Sequence, residues 1–316
     1  MMTIEVRQES WPVRGVFTIA RGSRTAAEVV VVEITENGLS GRGECVPYRR
    51  YGETIDSVMA EIRSGKPVSD MPPGAARNAL DSALLDLECK KTGRRSWEIL
   101  GLPAPAPKPT CFTISIDRPE CMARAAADAA AWPILKVKLA GTGDDHGRVA
   151  AVRAARPEAI LIVDANESWS STSLAALAPR MAELDVALIE QPLPSGADEA
   201  LLEFRSPVPL CADESTQDAA CLSALKGRYD YVNIKLDKTG GVRNALSAAR
   251  EAREAGLKIM LGCMLATSLS MAPATLLMDL ADFVDLDGPL LLARDRAPPL
   301  RYSEGRVQLP DPELWG

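Results

Sequence analysis

Three acidic residues follow short apolar runs at nearly even spacing in the middle of the chain. They are Asp164, Glu190 and Asp213, and each closes a run of Val, Ile, Leu, Ala or similar residues. Carboxylates gathered at one place repel each other unless a cation neutralises them, and Mg²⁺ prefers such hard oxygen ligands. If the runs are neighbouring strands, the pattern predicts a Mg²⁺ site, with Mn²⁺ as an alternative.

Lysines lie one interval before and one interval after these acids. In the run Leu135–Leu139, Lys136 and Lys138 alternate with apolar residues, so both side chains point to the same face of a strand. Lys235 is placed in the same way in the run Val232–Leu236. A lysine that points into a protein core is costly unless it is paired or functional. Lys138 and Lys235 are therefore candidate acid/base residues, with salt bridges to the acids as the alternative.

A buried strand that ends in a polar or charged residue, followed by a helical segment, recurs through residues 109–292. We place the strand ends near Ser115, Lys138, Asp164, Glu190, Asp213, Lys235, Gly262 and Asp287, at steps of 22 to 27 residues. This interval fits one strand and one helix of a β/α barrel. The strand ends of a barrel meet at one mouth, and strands two and six are opposed. Lys138 and Lys235 are therefore expected to face each other across a bound substrate.

The first part of the chain has a different pattern. Residues 29–34 form an apolar run before Asn37-Gly38, which predicts a strand and a hairpin turn. Apolar residues at three- and four-residue steps predict a helix from about 75 to 90. The proline-rich segment 102–109 is typical of a stiff connector. The fold class is therefore α/β, with an α+β domain over residues 1–108, a barrel over 109–292, and a C-terminal tail over 293–316 that packs on the first domain.

Composition excludes several classes of function. The net charge is −7 without any block of Lys or Arg, which argues against a nucleic-acid surface. No run is long and apolar enough to cross a membrane, and the first residues do not resemble a signal peptide. Seven cysteines without a CxxC pair favour a reduced, cytoplasmic protein. The only histidine, His146, lies in a glycine-rich polar loop, which argues against Ser-His-Asp, Cys-His and HExxH chemistry. Oligomeric state stays open, and a homo-oligomer is allowed.

The end of the eighth predicted strand carries two further acids. Asp285 and Asp287 are separated by one leucine, so both carboxylates point to one face. They predict a pocket for a cationic group such as a free ammonium, with a turn or helix cap as the alternative.

Taken together, these motifs resemble the enolase superfamily in its muconate-lactonising subgroup. The matching residues are Lys136-x-Lys138, Asp164-Ala165-Asn166, Glu190-Gln191-Pro192, Asp213-Glu214-Ser215 and Lys235. The resemblance covers nearly the whole chain. It implies a (β/α)₇β TIM-like barrel beneath an α+β capping domain that is built from the N-terminal part and the C-terminal tail. It also implies roles: Asp164, Glu190 and Asp213 as Mg²⁺ ligands, Lys138 and Lys235 as the opposed acid/base pair, and Lys136 as a contact of the substrate carboxylate.

Within that superfamily the distal residues look like those of dipeptide epimerases. The resemblance implies substrate binding by Thr113, Met264, Asp285 and Asp287, and a contact of Arg24 with a glutamate side chain. The implied activity is Mg²⁺-dependent 1,1-proton transfer at the C-terminal residue of a dipeptide, L-Ala-D-Glu or L-Ala-L-Glu, in recycling of cell-wall peptides. One lysine removes the α-proton, a metal-stabilised enediolate forms, and the opposite lysine returns a proton to the other face.

Other reactions use similar residues. Within the superfamily the alternatives are an o-succinylbenzoate synthase, an N-acylamino acid racemase and a muconate cycloisomerase. None of them needs an ammonium pocket, so Asp285 and Asp287 argue against them. From other classes, Lys235 could form a Schiff base in an aldolase barrel, Glu190 could serve a retaining glycosidase, and a non-catalytic barrel could use the lysines in salt bridges.

Overall fold

The N-terminal residues fold into a three-stranded antiparallel sheet in the computed structural model, which describes residues 2–216 and 222–316. The strands are β1 (Met2–Ile19), β2 (Gly22–Glu36) and β3 (Leu39–Cys45). Asn37 and Gly38 join β2 to β3 with φ angles of 52° and 81°, the left-handed backbone that a tight hairpin requires. The sequence pattern did not predict β1, because this edge strand is mostly exposed and therefore has no apolar run.

Helices cover one face of this sheet. They are α1 (Ile55–Arg63), α2 (Ala75–Thr92) and α3 (Ser96–Ile99), with short 3₁₀ turns at Arg49–Tyr51 and Val68–Asp70. The long helix α2 lies directly on β3. A Cβ atom on Gly41 of β3 would lie only 2.2 Å from the backbone oxygen of Ala83 in α2. The close approach of helix and strand therefore depends on glycine at this position. A two-residue strand, β4 (Lys108–Pro109), follows the helices.

The rest of the described chain alternates between strands and helices. In chain order the elements are β5 (Cys111–Ile114), α4 (Pro119–Asp128), β6 (Ile134–Lys138), α5 (Asp145–Ala155), β7 (Ile160–Asp164), α6 (Ser171–Glu183), β8 (Val186–Glu190), β9 (Leu210–Ala212), α7 (Leu222–Leu225), β10 (Tyr231–Ile234), α8 (Leu236–Thr239), α9 (Val242–Glu254), β11 (Lys258–Leu261), α10 (Ser268–Ala274) and β12 (Phe283–Val284). Between these elements, 3₁₀ turns occupy Glu199–Leu202 and Thr275–Leu280, and a further one follows at Gly288–Leu291.

Strands β5 to β12 pair in parallel and in sequence order. The two edges of this sheet are joined through side chains: the Leu286 N–H donates to Thr110 Oγ1 at 2.9 Å, and the Thr113 N–H donates to Asp287 Oδ2 at 2.6 Å. The predicted barrel with a strand-rich capping sheet is thus confirmed. Each predicted strand end lies within three residues of the observed one.

The interior of the barrel begins with an apolar layer. Every one of the eight strands contributes one residue to a separate buried cluster, namely Cys111, Ile134, Ile162, Leu188, Cys211, Tyr231, Met260 and Phe283. A second and much larger core lies between the outer faces of the strands and the surrounding helices. The apolar layer closes the barrel beneath the polar residues that follow it on each strand.

The last residues of the chain form contacts that the sequence pattern did not predict in detail. A small hairpin, β13 (Tyr302–Ser303) and β14 (Arg306–Val307), pairs with β4. Further on, the buried Trp315 donates from Nε1 to the Ser82 oxygen of α2 at 3.0 Å. The division of the chain into domains at residues 1–108, 109–292 and 293–316 stays a prediction.

The six cysteines within the described ranges are free thiols. None of the described helices is long and apolar enough to span a membrane.

Candidate active site

The charged residues lie one layer above the apolar interior layer. Strand side chains alternate between two faces, so the residue two positions further on each strand returns to the interior. These second-layer positions are Thr113, Lys136, Asp164, Glu190, Asp213, Asn233, Gly262 and Asp285. A third layer contains Lys138, Lys235 and Asp287. All of these side chains are buried. The barrel therefore brings the predicted lysines and carboxylates together at one mouth.

Two of the lysines form ion pairs with two of the acids. Lys138 Nζ lies 2.5 Å from Asp164 Oδ2, and Lys235 Nζ lies 2.7 Å from Asp213 Oδ2. Burial opposes ionisation of Asp164, but Lys138 and Lys136 outweigh it and lower its pKa to about 2. Burial likewise opposes the charge of Lys235, yet Asp213 raises the pKa of this lysine well above its ordinary value. Asp164, Asp213 and Lys235 are therefore held in charged form by their partners.

Lys136 lies between two further carboxylates. Its Nζ is 2.7 Å from Glu190 Oε2 and 2.8 Å from Asp285 Oδ2. Burial opposes the charge on Lys136, but Asp285 and Glu190 raise its pKa well above the usual value. The pKa of Glu190 is raised to about 7 by burial and then by the neighbouring charge of Asp164. One ammonium group thus connects the central acid of the site to the acids of the last strand.

A fourth buried lysine was missed in the sequence pattern. Lys238 Nζ donates to the Asp213 backbone oxygen at 2.6 Å, to Asp213 Oδ1 at 2.9 Å and to the Asn233 oxygen at 2.9 Å. All three of its donors are therefore used. Its spacing in the sequence could have identified it. Lys238 follows Lys235 by three residues in a helical segment, which places both ammonium groups on one side.

Asp285 and Asp287 lie at the mouth, as predicted, together with Thr113. Asp285 Oδ2 faces Lys136, whereas Asp285 Oδ1 has no hydrogen-bond partner among the described residues. Asp287 Oδ2 accepts from the Thr113 backbone, and burial followed by the charge of Asp285 raises the pKa of Asp287 to about 7. One buried acceptor oxygen is thus left for a ligand.

The capping residues close the pocket from above. The pocket comprises about 800 Å³, a figure that includes space open to solvent. Arg24, Tyr48 and Tyr51 of the capping loops line it, together with Met264 of the barrel. The Arg24 guanidinium lies 5.6 Å from the centre of the Tyr48 ring. Within the described residues, Arg24 forms no salt bridge. Its charge is therefore free to contact an anionic ligand group.

Arg21, three residues earlier, is bound to the barrel instead. Its Nη2 lies 2.6 Å from Glu214 Oε1, and its Nη1 donates to the Asn166 oxygen at 3.0 Å. Arg50 reaches the same region, with Nη2 2.7 Å from Glu167 Oε1. These contacts hold two capping loops against the barrel mouth. The sequence pattern did not identify Arg21 or Arg50, because their partners lie more than a hundred residues away in the chain.

Two family models match this chain. The Enolase C-terminal domain-like model matches residues 120–313. The Mandelate racemase / muconate lactonizing enzyme N-terminal domain model matches residues 1–69. The two matches cover the capping sheet and seven of the eight barrel strands.

Characterised relatives are similar over nearly their full length. The chain is 47% identical to an L-Ala-D/L-Glu epimerase of Escherichia coli (strain K12), over 98% of this chain and 100% of the relative. It is 42% identical to an N-acetyl-D-glutamate racemase of a Pseudoalteromonas species, over 91% of this chain and 95% of the relative.

Solved structures show the same likeness. An enolase family member of Agrobacterium tumefaciens, with homology to dipeptide epimerases and with bound sodium and L-Ala-L-Glu, is 48% identical over 100% of both chains, with a TM-score of 0.96. A dipeptide epimerase of Enterococcus faecalis, complexed with Mg and L-Leu-L-Tyr, is 29% identical over 98% of this chain and 96% of that chain, with a TM-score of 0.88. The chain belongs to the mandelate racemase and muconate-lactonising branch of the enolase superfamily.

Proposed function

We propose that this protein is a Mg²⁺-dependent dipeptide epimerase that interconverts L-Ala-D-Glu and L-Ala-L-Glu. The observation that carries the proposal is the single mouth at which Lys138 and Lys235 meet. They belong to the second and sixth of eight strands and therefore approach a substrate from opposite sides. Two opposed bases are what inversion at one carbon requires. The named activities of the relatives support the same reaction.

Each residue then has a role in the proton transfer. One of Lys138 and Lys235 removes the α-proton of the C-terminal residue, and the other delivers a proton to the opposite face. Their roles exchange in the reverse direction. Lys136, whose ammonium is buried beneath the mouth, contacts the substrate carboxylate and stabilises the negative charge that develops there.

Asp164, Glu190 and Asp213 are the residues that would hold Mg²⁺. Their donor set consists of oxygen atoms alone, which fits this cation. The buried Glu190 Oε2 accepts no hydrogen bond of good geometry among the described residues. In the described residues the three acids are not arranged as a metal cluster, and their mouth-side oxygens face lysine ammonium groups, so a position for positive charge already exists. When bound, Mg²⁺ supplies positive charge to the substrate carboxylate.

The ends of the dipeptide are distinguished by opposite charges. Asp285 and Asp287 offer carboxylates to a free ammonium, and Asp285 Oδ1 lacks a partner among the described residues. Arg24 offers its guanidinium to the glutamate side chain. Arg21 is less suited to that role because Glu214 and the Asn166 oxygen already engage it. Thr113 and Met264 also line the pocket.

We expect this protein to lie in the cytoplasm.

An N-acylamino acid racemase is the second candidate. The Pseudoalteromonas relative is named for an N-acetylated substrate. Burial and Asp285 raise the pKa of Asp287 to about 7, so that this carboxyl retains a proton more readily than an ordinary aspartate. A protonated carboxyl can donate a hydrogen bond to an acyl oxygen, which an ionised one cannot.

Substrate exchange in D₂O separates the two candidates. Purified enzyme with Mg²⁺ is incubated separately with L-Ala-L-Glu, N-acetyl-L-Ala-L-Glu and N-acetyl-L-Glu. Deuterium incorporation at the α-carbon is then measured by mass spectrometry. A free ammonium would make charge-assisted hydrogen bonds of about 1.5–3 kcal/mol each. We therefore expect acetylation of the dipeptide to lower kcat/KM on the order of 10²-fold.

Arg24→Ala tests the glutamate preference in the same assay. It should raise KM for L-Ala-L-Glu and leave L-Ala-L-Leu little changed, because only the former has a side-chain carboxylate. Equal rates for acetylated and free dipeptides would replace the proposal with the racemase. A uniform loss for all dipeptides in Arg24→Ala would remove the glutamate assignment.

A further inference from the structure

Two of the second-layer positions in the barrel carry neither a charge nor an assigned role. They are Asn233 on β10 and Gly262 directly after β11. A Cβ atom on Gly262 would lie 2.3 Å from Asn233 Oδ1 and 2.7 Å from Asn233 Nδ2. Real Cβ atoms do not approach other atoms so closely. The Asn233 amide therefore fills the space in which the next strand would place its own side chain.

The Asn233 amide contacts the central acid of the site. Its Nδ2 donates to Glu190 Oε1 at 2.8 Å, and both side chains are fully buried. With Oε1 engaged, the other carboxylate oxygen, Oε2, is the one that faces Lys136. A bond from a neutral amide leaves the charge of Glu190 in place and restricts the rotation of its carboxylate.

The other two acids have the same division between their oxygens. Asp164 Oδ1 accepts from the Asn166 N–H at 2.9 Å, and Asp213 Oδ1 accepts from Lys238 at 2.9 Å. In both acids the Oδ2 atom faces a lysine of the mouth. Each carboxylate thus has one oxygen held by a donor other than the predicted lysines, which for Asp213 is itself an ammonium group, and one oxygen that faces Lys136, Lys138 or Lys235. For Glu190 the fixed donor is a side chain that reaches across from a strand two places away in the sheet.

We propose that Asn233 is a positioning residue that holds Glu190 so that Oε2 is presented to the divalent cation, and that Gly262 is required because it leaves room for the Asn233 amide. This inference rests on the proposed function, which makes Glu190 a metal ligand. It assigns a role to two residues that contact neither substrate nor metal. Loss of a hydrogen-bond partner behind a metal ligand lowers metal affinity by roughly 10- to 100-fold.

The direct test is Mn²⁺ binding to the full-length enzyme without substrate, measured from the electron paramagnetic resonance signal of free Mn²⁺. Asn233→Ala and Gly262→Ala should each raise the Kd for Mn²⁺ by about tenfold or more. The two changes should not add, because the extra methyl group of Gly262→Ala has no amide to displace once Asn233 is alanine. Because Asn233 and Gly262 are in contact, their effects on stability would be coupled as well, so each Kd is measured on protein shown by circular dichroism to be folded.

Asn78→Ala is the matched control. Asn78 is also buried, and its Nδ2 donates at 2.9 Å to the carboxylate of Asp237, which is not one of the three acids. This variant should lose stability but keep the wild-type Kd for Mn²⁺. If Asn233→Ala does not fold, Asn233→Leu removes the same donor with less change in volume and serves the same comparison.

The outcomes separate the inference from the proposed function. Wild-type enzyme that binds no Mn²⁺ would remove the metal assignment and the inference together. Wild-type binding with unchanged Kd in the Asn233 and Gly262 variants would overturn the inference alone. An equal loss in Asn78→Ala would also overturn it, since that result would trace the effect to general stability. Additive losses in the double variant would overturn the role given to Gly262, since the two residues would then act separately.

Discussion

Lys138 and Lys235 each contact the mouth-side oxygen of one acid, at 2.5 Å and 2.7 Å. Asp213 keeps Lys235 charged by raising the pKa of this lysine well above its ordinary value, although burial opposes the charge. A lysine acts as a base only when it is neutral. Positive charge bound at the same oxygens would weaken this pairing and lower the lysine pKa. At the scale of residues, the acids would therefore have two linked effects in the proposed reaction: they would hold the divalent cation, and they would influence the charge of the lysines that act as bases.

The two lysines should be separable by stereochemistry. In D₂O, Lys138→Ala should exchange the α-proton of one epimer only and Lys235→Ala that of the other, because each variant keeps the base on one face. Epimerisation should fall by roughly 10³-fold in both variants. Deuterium incorporation into each epimer is measured by mass, with the exposed Lys91→Ala as a control that should behave as wild type. Near-normal interconversion by either variant would contradict the scheme of two bases.

At the scale of elements, helix α8 connects the end of strand β10, where Lys235 lies, to the capping domain. Asp237 in α8 is buried and accepts from the Val46 N–H at 3.1 Å and from Asn78 Nδ2 at 2.9 Å. Val46 follows β3 and lines the pocket. Burial is the main cause that raises the pKa of Asp237 to about 7, and the charges of Glu53 and Glu44 add to it.

The raised pKa of Asp237 predicts a pH-dependent stability. Between about pH 4 and pH 7 the unfolded chain has lost this proton while the folded protein retains it, so stability falls as pH rises through that window. In Asp237→Asn the free energy of unfolding should fall less steeply with pH, by on the order of 1 kcal/mol per pH unit. Both hydrogen bonds survive in this variant because both donors use the same oxygen, Oδ1.

Urea unfolding at several values between pH 5 and pH 8 measures this effect. The exposed Asp128→Asn is the control for loss of one negative charge, and it should keep the wild-type slope. Parallel profiles for Asp237→Asn and wild type would show that Asp237 ionises normally in the folded protein.

At the scale of the whole molecule, the last residues connect back to the capping domain. The Trp315 side chain is fully buried and donates to the Ser82 oxygen in α2, while Arg42 donates to the backbone oxygens of Glu313 and Leu314. The same helix α2 contributes Asn78 to the contact with α8. Contacts between residues from distant parts of the chain therefore hold the cap in position over the mouth.

Trp315→Ala should destabilise the fold by about 3–5 kcal/mol, because it removes a large buried side chain and leaves a cavity. Trp315→Phe keeps most of the packing and loses mainly the hydrogen bond to Ser82. It should therefore lower the free energy of unfolding by about 1 kcal/mol, well below the effect of the alanine variant. Urea unfolding at one pH measures both variants. Similar stabilities of the alanine variant and wild type would mean that Trp315 adds little to the packing on α2.

The regular spacing of apolar runs along the sequence was sufficient to predict the barrel. Apolar runs about 25 residues apart placed the eight strand ends within three residues of those observed. The edge strand β1 was missed, because a strand with mostly exposed residues lacks the apolar pattern on which such a prediction depends. The small hairpin of β13 and β14 was missed as well, since two-residue strands exist only through the partner with which they pair.

By itself, the sequence determined which side chains of the strands point into the barrel. Alternation along each strand assigns a residue to the interior or to the helices without any knowledge of its neighbours. Only the tertiary structure decided which oxygen each cation contacts, that Asn233 lies against Glu190, and that Arg21 binds Glu214 while Arg24 stays without an ion pair in the described part of the chain. These contacts join residues that are far apart in sequence, so their distances depend on how strands and loops pack together rather than on any local pattern.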